Sequence, residues 1–458
     1  MNHPVEDLSK DLPSLLNNGV MMSHANQEIL IFKGIYILKT ANIEIEIDGE
    51  IWFMWLPDFK ARFYGNPLVN IDFYNLTLLI DRKEIVINGE VFGDVSGVDV
   101  KTGLGVIEGR ISISNTSYLG DISQMVDRIT FSIPNLKEFI GLPVKYKSEN
   151  NTVSISQSRI FLEDGEYQII IDRCSNYSDL HTSLKANGGY IIQYNGELRK
   201  KNGLLNYDDG REVLHCLNRF LHLLNGINTS AIFLKGWKSS ILKWEDYTPY
   251  VVRPYKYVYS WSTIDTFEHI GHTWNKFRKY WLSIDDRSIL ISIIHWYVEA
   301  NINSAFIEGS IVMAQAALEG LFNWIIIEND PAVNAVLAKK LENKNAEAKL
   351  FLLLKKIELK NGIPESLSHL VGIKPRIKNG PTAIIEIRNA LVHGNRGKRR
   401  NLNLINSDVR IEVLRLSLWY IELLLLHALE YDSKYFNRCS QSFPNGMPEP
   451  LPWSNTHT

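Results

Sequence analysis

Arg388 and His393 are the side chains whose type and spacing carry the most chemistry. They stand in the stretch IIEIRNALVHG at 384–394, and no other arginine in the chain precedes a histidine by four to six intervening residues. At helical pitch Asn389 and His393 share one face, while Arg388 and His393 are about 140° apart, a gap that arginine's length partly bridges. His393 falls at the negative end of a helix stopped by Gly394, where the dipole favours an imidazolium and a general-acid role. Eight basic residues (Lys374, Arg376, Lys378, Arg388, Arg396, Lys398, Arg399 and Arg400) stand against one acid, Glu386, between 374 and 400. On a chain of formal net charge -2, so local a patch suits a selective polyanion site, not a general coat. The plainer alternative is a histidine-capped helix end followed by a solvated basic loop.

A second candidate is Glu319. Gln315, Glu319 and Asn323 make a polar line at i, i+4 spacing along an otherwise apolar helix. A carboxylate buried there needs a cation, and Arg388 is the obvious one; a solvated helix edge is the alternative. His269 and His272, with Asp265 and Glu268 nearby, lack a matching second cluster, so no metal and no cofactor are expected. Trp52, Trp55 and Tyr64 could stack on a sugar or base but read better as core. No GxxxxGK[ST] or GxSxG is present.

The elements that position these residues fall into two halves. From Gln27 to about Gly196 short β-type runs alternate with turns, at 28–32, 51–56, 70–80, 84–92, 106–114, 128–133, 153–162, 167–172 and 190–194. Asn88-Gly89 and Asp164-Gly165 are hairpin dipeptides. This reads as a β-sandwich or distorted barrel. A helix over 208–225, capped by Asp208 or Asp209 and ended near Gly226, packs on the sheet. Beyond about Ser260 the period is helical, over 262–281, 286–303, 304–328, 331–358, a helix ending at His393, and 408–431. The expected class is α+β: an N-terminal extension at 1–26, a β-sandwich-like domain at 27–260, an all-α bundle at 261–435 and an extended proline-rich tail at 436–458.

With 45% hydrophobic and 22% charged residues over 458 positions, the composition is that of a globular protein with a core of normal size. Cys174, Cys216 and Cys439 are lone thiols, which fits a reducing compartment. The longest apolar run, 311–327, is interrupted by Gln315, Glu319 and Asn323, so no membrane span and a cytoplasmic location are expected.

RNALVH at 388–393 resembles the motif of the HEPN superfamily, helical bundles of which many are RNases, and within it the Apea-like proteins of bacterial anti-phage defence. AQAALEGLF at 314–322 is similar to the glutamate-bearing helix before that motif, and GEIWFMWLP at 49–57 to the β-rich region preceding the bundle. The resemblance implies an HEPN bundle behind a β-rich sensor, and metal-independent RNA cleavage as an abortive-infection effector. In that mechanism the 2′-hydroxyl attacks the adjacent phosphate. His393 moves protons, Arg388 holds the phosphate, Asn389 orients one of them and Glu319 positions Arg388. Arg396, Lys398, Arg399, Arg400 and Lys378 would bind the RNA, with tRNA among the targets. A homodimer or higher oligomer would pair two motifs in one cleft, and a phage-derived trigger or inhibitor would act on the β-rich half. Two rivals stand beside this reading. One is a non-catalytic HEPN module that binds RNA, a nucleotide or a partner. The other is a carbohydrate- or peptide-recognition protein, in which Arg388 and His393 are scattered or buried and an aromatic cleft serves the N-terminal half.

Overall fold

The computed structural model describes residues 11–16, 19–40, 43–69, 83–101, 105–114, 117–147, 152–304, 306–372, 377–392 and 405–454. The chain is α+β in the expected order, β-rich first and helical after.

The first β unit is a closed barrel. Strands β1 (Ile29–Lys39), β2 (Glu44–Met54), β3 (Lys60–Pro67), β4 (Lys83–Ile87), β5 (Glu90–Lys101) and β6 (Val106–Ser112) run in the order β1-β2-β3-β6-β5-β4. Alternation along β2 sends Ile45, Ile47, Ile51 and Phe53 inward, as a half-buried strand requires. Asn88 and Gly89, at φ +52° and +87°, turn β4 into β5; two left-handed residues in a row suit the right-handed twist of a two-residue hairpin. The far end of β1 pairs with β4 through Ile37 and Val86, which closes the barrel.

The second β unit is an antiparallel sheet of β7 (Tyr118–Gly120), β8 (Arg128–Pro134), β9 (Leu142–Lys147), β10 (Val153–Glu163), β11 (Tyr167–Arg173), β12 (Ile192–Lys200), β13 (Ile232–Lys238) and β14 (Ile241–Asp246). Its order is β7-β14-β13-β8-β12-β11-β10-β9. Of the two expected forms, a sandwich or a distorted barrel, the first β unit takes the barrel, and a separate eight-stranded sheet stands in place of a sandwich. Alternating patterns are compatible with either, and only the β1–β4 pairing decides between them. The 70–80 run lies outside the described residues.

Each face of the sheet is covered differently. One side packs Ile129, Phe131, Ile169 and Leu198 on helix α2 (Tyr207–Asn225) and the bundle, within a single core running from Val126 to Leu451. The other packs Ile192, Ile232 and Phe233 on the barrel and on helix α1 (Tyr177–Asn187). Helix α1 escaped the sequence reading because only Tyr177, Leu180 and Leu184 of its residues are buried, too few to set a period. The cap of α2 is Asn206, whose side chain accepts from the Asp209 amide at 2.7 Å, so the helix begins one residue before the expected Asp208. Strands give way to helices near Ser260, yet the hydrophobic core continues across that point.

The bundle consists of α3 (Ile270–Leu282), α4 (Ile284–Asn301), α5 (Phe306–Phe322, extended by a π-helical turn Asn323–Glu328), α6 (Ala335–Glu342), α7 (Ala346–Lys356), the short α8 (Ser368–Gly372), α9 (Gly380–Val392) and α10 (Ser407–Ala428). The expected 331–358 helix is two helices: α6 ends at Glu342 with Asn343 as its C-cap, and Asn345 caps the next by accepting from the Ala348 amide at 2.8 Å. The segment Phe306–Glu328 is long and apolar enough to cross a membrane by length and composition, and 61% of its most apolar window is packed inside the protein. The tail does not trail away from the bundle. It folds back, with Tyr435 bridged to Glu449 and with Arg438, Cys439 and Leu451 buried.

Candidate functional site

The structure places part of the expected site on α9. Asn379 starts the helix by accepting from the Thr382 amide at 2.9 Å, and Ile384 and Ile387 anchor it in the core. That leaves Arg388 and Asn389 half-buried on its last turns. The Arg388 guanidinium donates through Nη1 to Asn389 Oδ1 at 3.2 Å, while its buried Nε has no hydrogen-bond partner among the described residues. Lys378 is exposed just ahead of the helix. His393, Arg396, Lys398, Arg399 and Arg400 lie outside the described residues.

The expected buried pairing of Glu319 with Arg388 is not formed. Glu319 is exposed, and its Oε1 accepts from Gln315 Nε2 at 3.1 Å; water solvates the carboxylate, so no cation is required. Gln315, not Glu319, is the buried member of that polar line, and its Oε1 has no partner among the described residues. Trp55 is core as expected, whereas Trp52 and Tyr64 are half-buried on the barrel, both donating to Glu50. His272 lies 2.8 Å from Glu430 in an exposed contact.

A different constellation emerges where the sheet meets the bundle. A cavity of about 270 Å³ is walled by the turn after β8, by α1, and by the strap linking β14 to α3, with Phe436 of the tail on its rim. The turn after β8 is held from every side. Asn135, at φ +56°, accepts from the Ile191 amide at 3.1 Å and donates to the carbonyls of Gly189 and Arg253. Asn225, at the end of α2, accepts from the Lys137 amide at 3.1 Å, and the Tyr194 hydroxyl donates to the Lys137 carbonyl at 3.0 Å. Such over-determination fixes where the Lys137 side chain starts.

Lys137 Nζ donates to Ser260 Oγ at 2.6 Å and to the Ser262 carbonyl at 2.9 Å. Both serine hydroxyls are buried and pass their own protons to the Leu224 carbonyl at 2.7 Å. No carboxylate lies within ion-pair distance of the amine among the described residues. Burial pushes its pKa down to about 7, Glu422 pulling it up and Arg438 down again; an ammonium held away from water without a touching counter-ion favours its neutral form.

The cavity wall is aromatic. Tyr177 and His181 stack at 5.5 Å, with Tyr255 edge-on to His181 at 5.9 Å. Tyr257 meets Tyr259 edge-on, and Tyr259 stacks on Phe436. Burial, then Lys185, lowers the His181 pKa, so the ring is a neutral surface near pH 7. The Tyr177 hydroxyl is buried with Gln193 nearby, and among the described residues it makes no hydrogen bond of good geometry. The amine of half-buried Lys137 on an aromatic-walled cavity is a group a ligand would engage.

Sequence reading missed this site. The available signal was Tyr255, Tyr257 and Tyr259 alternating through a strap that is otherwise irregular, and one lysine between buried Leu136 and Phe139. A second hollow, of about 420 Å³, lies between Tyr280, Trp324, His427 and Trp453. Lys356 and Glu430 on its rim are paired internally, with Asp330 and Lys276.

Comparison with known proteins corrects the expected family. Residues 121–258 match the model of the YopA central domain and residues 284–447 that of the YopA C-terminal domain. These models describe a different family from the HEPN proteins, so the likeness of RNALVH to the HEPN motif is a short-range one; an arginine and a histidine at a helix end are too few positions to define a fold. No solved structure matches the chain. The cavity lies at the seam, with Lys137 in the first matched segment, Glu422 and Arg438 in the second, and Ser260 and Ser262 between them. Over 443 residues, 93% of this chain and 95% of the relative, the protein is similar at 25% identity to the SPbeta prophage-derived uncharacterized protein YopA of Bacillus subtilis (strain 168).

Proposed function

We propose that this protein is a small-molecule recognition protein whose ligand occupies the cavity between the antiparallel sheet and the helical bundle. The observation that carries the reading is the placing of Lys137, its amine held by Ser260 Oγ and the Ser262 carbonyl, with Tyr177, His181 and Tyr255 around one aromatic-walled cavity. Stacked and edge-on rings favour a flat ligand. The lysine, with His181, Gln193 and Asn225, favours a carbonyl or acidic group on it. The volume suits a compact, single-ring molecule better than an oligosaccharide or peptide. Ligand binding at this place would couple to the relative seating of sheet and bundle, since both build the wall.

The test is thermal melting of the full chain with millimolar benzoate, 4-hydroxybenzoate, 4-hydroxybenzyl alcohol and adenine. At ligand concentrations about a hundredfold over Kd, a binder adds about 2.7 kcal/mol of stability. A rise in Tm that disappears in Tyr177→Phe and Lys137→Met supports the reading. Unchanged melting across the panel counts against it.

A second reading, RNA strand cleavage at the end of α9, is favoured by one observation: Arg388 is a half-buried cation with no carboxylate partner among the described residues. Such a guanidinium suits a phosphate, with Asn389 beside it and His393 as the proton-transfer group. Product-end analysis of cellular RNA after expression of wild type and Arg388→Ala tests it. Intact RNA in both samples removes this reading, and 2′,3′-cyclic phosphate ends present only with wild type support it.

A further inference from the structure

We infer that Lys137 is a covalent attachment site, whose amine condenses with the carbonyl carbon of an aldehyde or ketone ligand held in the junction cavity. This rests on the recognition reading above and names the chemical class of its ligand. Two of the three non-carbon positions on Nζ are used as donors, to Ser260 Oγ and to the Ser262 carbonyl. Ser260 cannot also donate back, because its proton goes to the Leu224 carbonyl. The third position has no hydrogen-bond acceptor among the described residues, the Phe139 ring centroid lying 5.6 Å from Nζ, and it is the place for a lone pair. A lysine meant to stay charged in such a place ordinarily has a carboxylate in contact. Here the nearest buried one, Glu422, is occupied by Arg438 through two hydrogen bonds and by the Tyr297 hydroxyl.

The lone pair attacks the carbonyl carbon, giving a carbinolamine. The former carbonyl oxygen then leaves as water, taking both original N–H protons, and a carbon–nitrogen double bond remains. No electrons change hands and no co-reactant is needed. If the imine picks up a proton, its single N–H keeps one of the two existing acceptors. Depression of the amine pKa to about 7 supports the same assignment. At neutral pH it leaves on the order of a thousandfold more neutral amine than an ordinary lysine holds, the activation that desolvated lysine nucleophiles use.

The experiment uses the full chain at pH 7 with 4-hydroxybenzaldehyde and sodium cyanoborohydride, followed by peptide mass spectrometry. Binding of the unreactive 4-hydroxybenzyl alcohol is measured in parallel. The expected result is reductive labelling of Lys137 at least about tenfold faster than that of surface lysines, with a rate that rises through pH 7. Labelling spread evenly over surface lysines, while the alcohol still binds and protects the cavity, overturns the covalent inference and leaves the recognition reading standing. Failure of both aldehyde and alcohol to bind removes both. Lys137→Arg retains the two donors and must abolish the adduct. Should that variant not fold, the wild-type labelling map alone decides.

Discussion

Arg438 meets Glu422 at two points inside the protein, Nε to Oε2 at 2.8 Å and Nη2 to Oε1 at 2.9 Å, with neither side chain more than 5% exposed. The contact ties the C-terminal tail to α10. It continues through the Tyr297 hydroxyl, 2.6 Å from Glu422, to α4, and through Asn301 and the Tyr259 carbonyl to the strap that walls the cavity. Buried charges of this kind are stabilising only as a set, because removal of one strands the other. Arg438→Met or Glu422→Gln is expected to cost about 3–5 kcal/mol, and the double variant less than the sum. Urea unfolding of the four proteins gives the coupling energy, and strict additivity would show that the two residues act independently.

Lys137 makes stability pH-dependent in a defined direction. Its folded pKa, about 7, lies below the unfolded value of 10.5, so the unfolded chain binds the extra proton between those limits. Stability contributed by this group therefore rises with pH above about 7 and is lowest below it. Relative to Lys137→Met, wild type should gain over pH 7–9, by at most about 1.4 kcal/mol per pH unit. A flat difference between the two melting profiles would refute the depressed pKa.

His222 acts at lower pH. It is fully enclosed beside Asn228 and Ser230, and burial, reinforced by Arg219, pushes its pKa down to about 3 from 6.5. The unfolded chain takes up a proton as pH falls through 6.5, which the folded chain resists. The His222 contribution is thus lost progressively from pH 6.5 towards 3. His222→Gln should flatten that part of the acid-denaturation curve, as followed by circular dichroism.

Gly226 ends α2 at φ +71°. A Cβ there would stand 2.7 Å from Asn301 Nδ2 and 2.9 Å from Ser260 Cβ. Gly226→Ala is expected to cost about 1–3 kcal/mol from backbone strain alone, and to disturb ligand binding by moving Ser260. Tm and affinity for the best compound of the panel are the two readouts. An alanine variant with unchanged affinity would dissociate this turn from the cavity.

Glu319→Ala, in contrast, should shift stability by no more than about 0.5 kcal/mol, because the carboxylate is exposed and touches Gln315 instead of a buried cation. A loss of several kcal/mol on denaturant unfolding would restore the pairing with Arg388.

Local features of this chain are legible in its sequence. The Asn88-Gly89 hairpin, the helix at Tyr207–Asn225 and the placement of Arg388 and Asn389 on the last turns of α9 depend on neighbours within a few residues, where dihedral preference and apolar period act directly. The break at Asn345 and the short helix α1 were harder, since a capping asparagine inside a polar stretch and three buried positions leave a faint pattern. A six-residue likeness at 388–393 proved a poor guide to family, for the complementary reason that few positions can match without shared architecture.

What the sequence by itself determined is therefore the local grammar: which stretches alternate, which wind, and where each stops. Tertiary structure alone decided that β1 closes on β4, that Glu319 faces water, and that Lys137 reaches Ser260 from 123 residues away while Arg438 reaches the Tyr259 carbonyl across 179. Contacts at such separation have no periodic signature, because they depend on the path of the whole intervening chain and on burial that exists only once sheet and bundle have met.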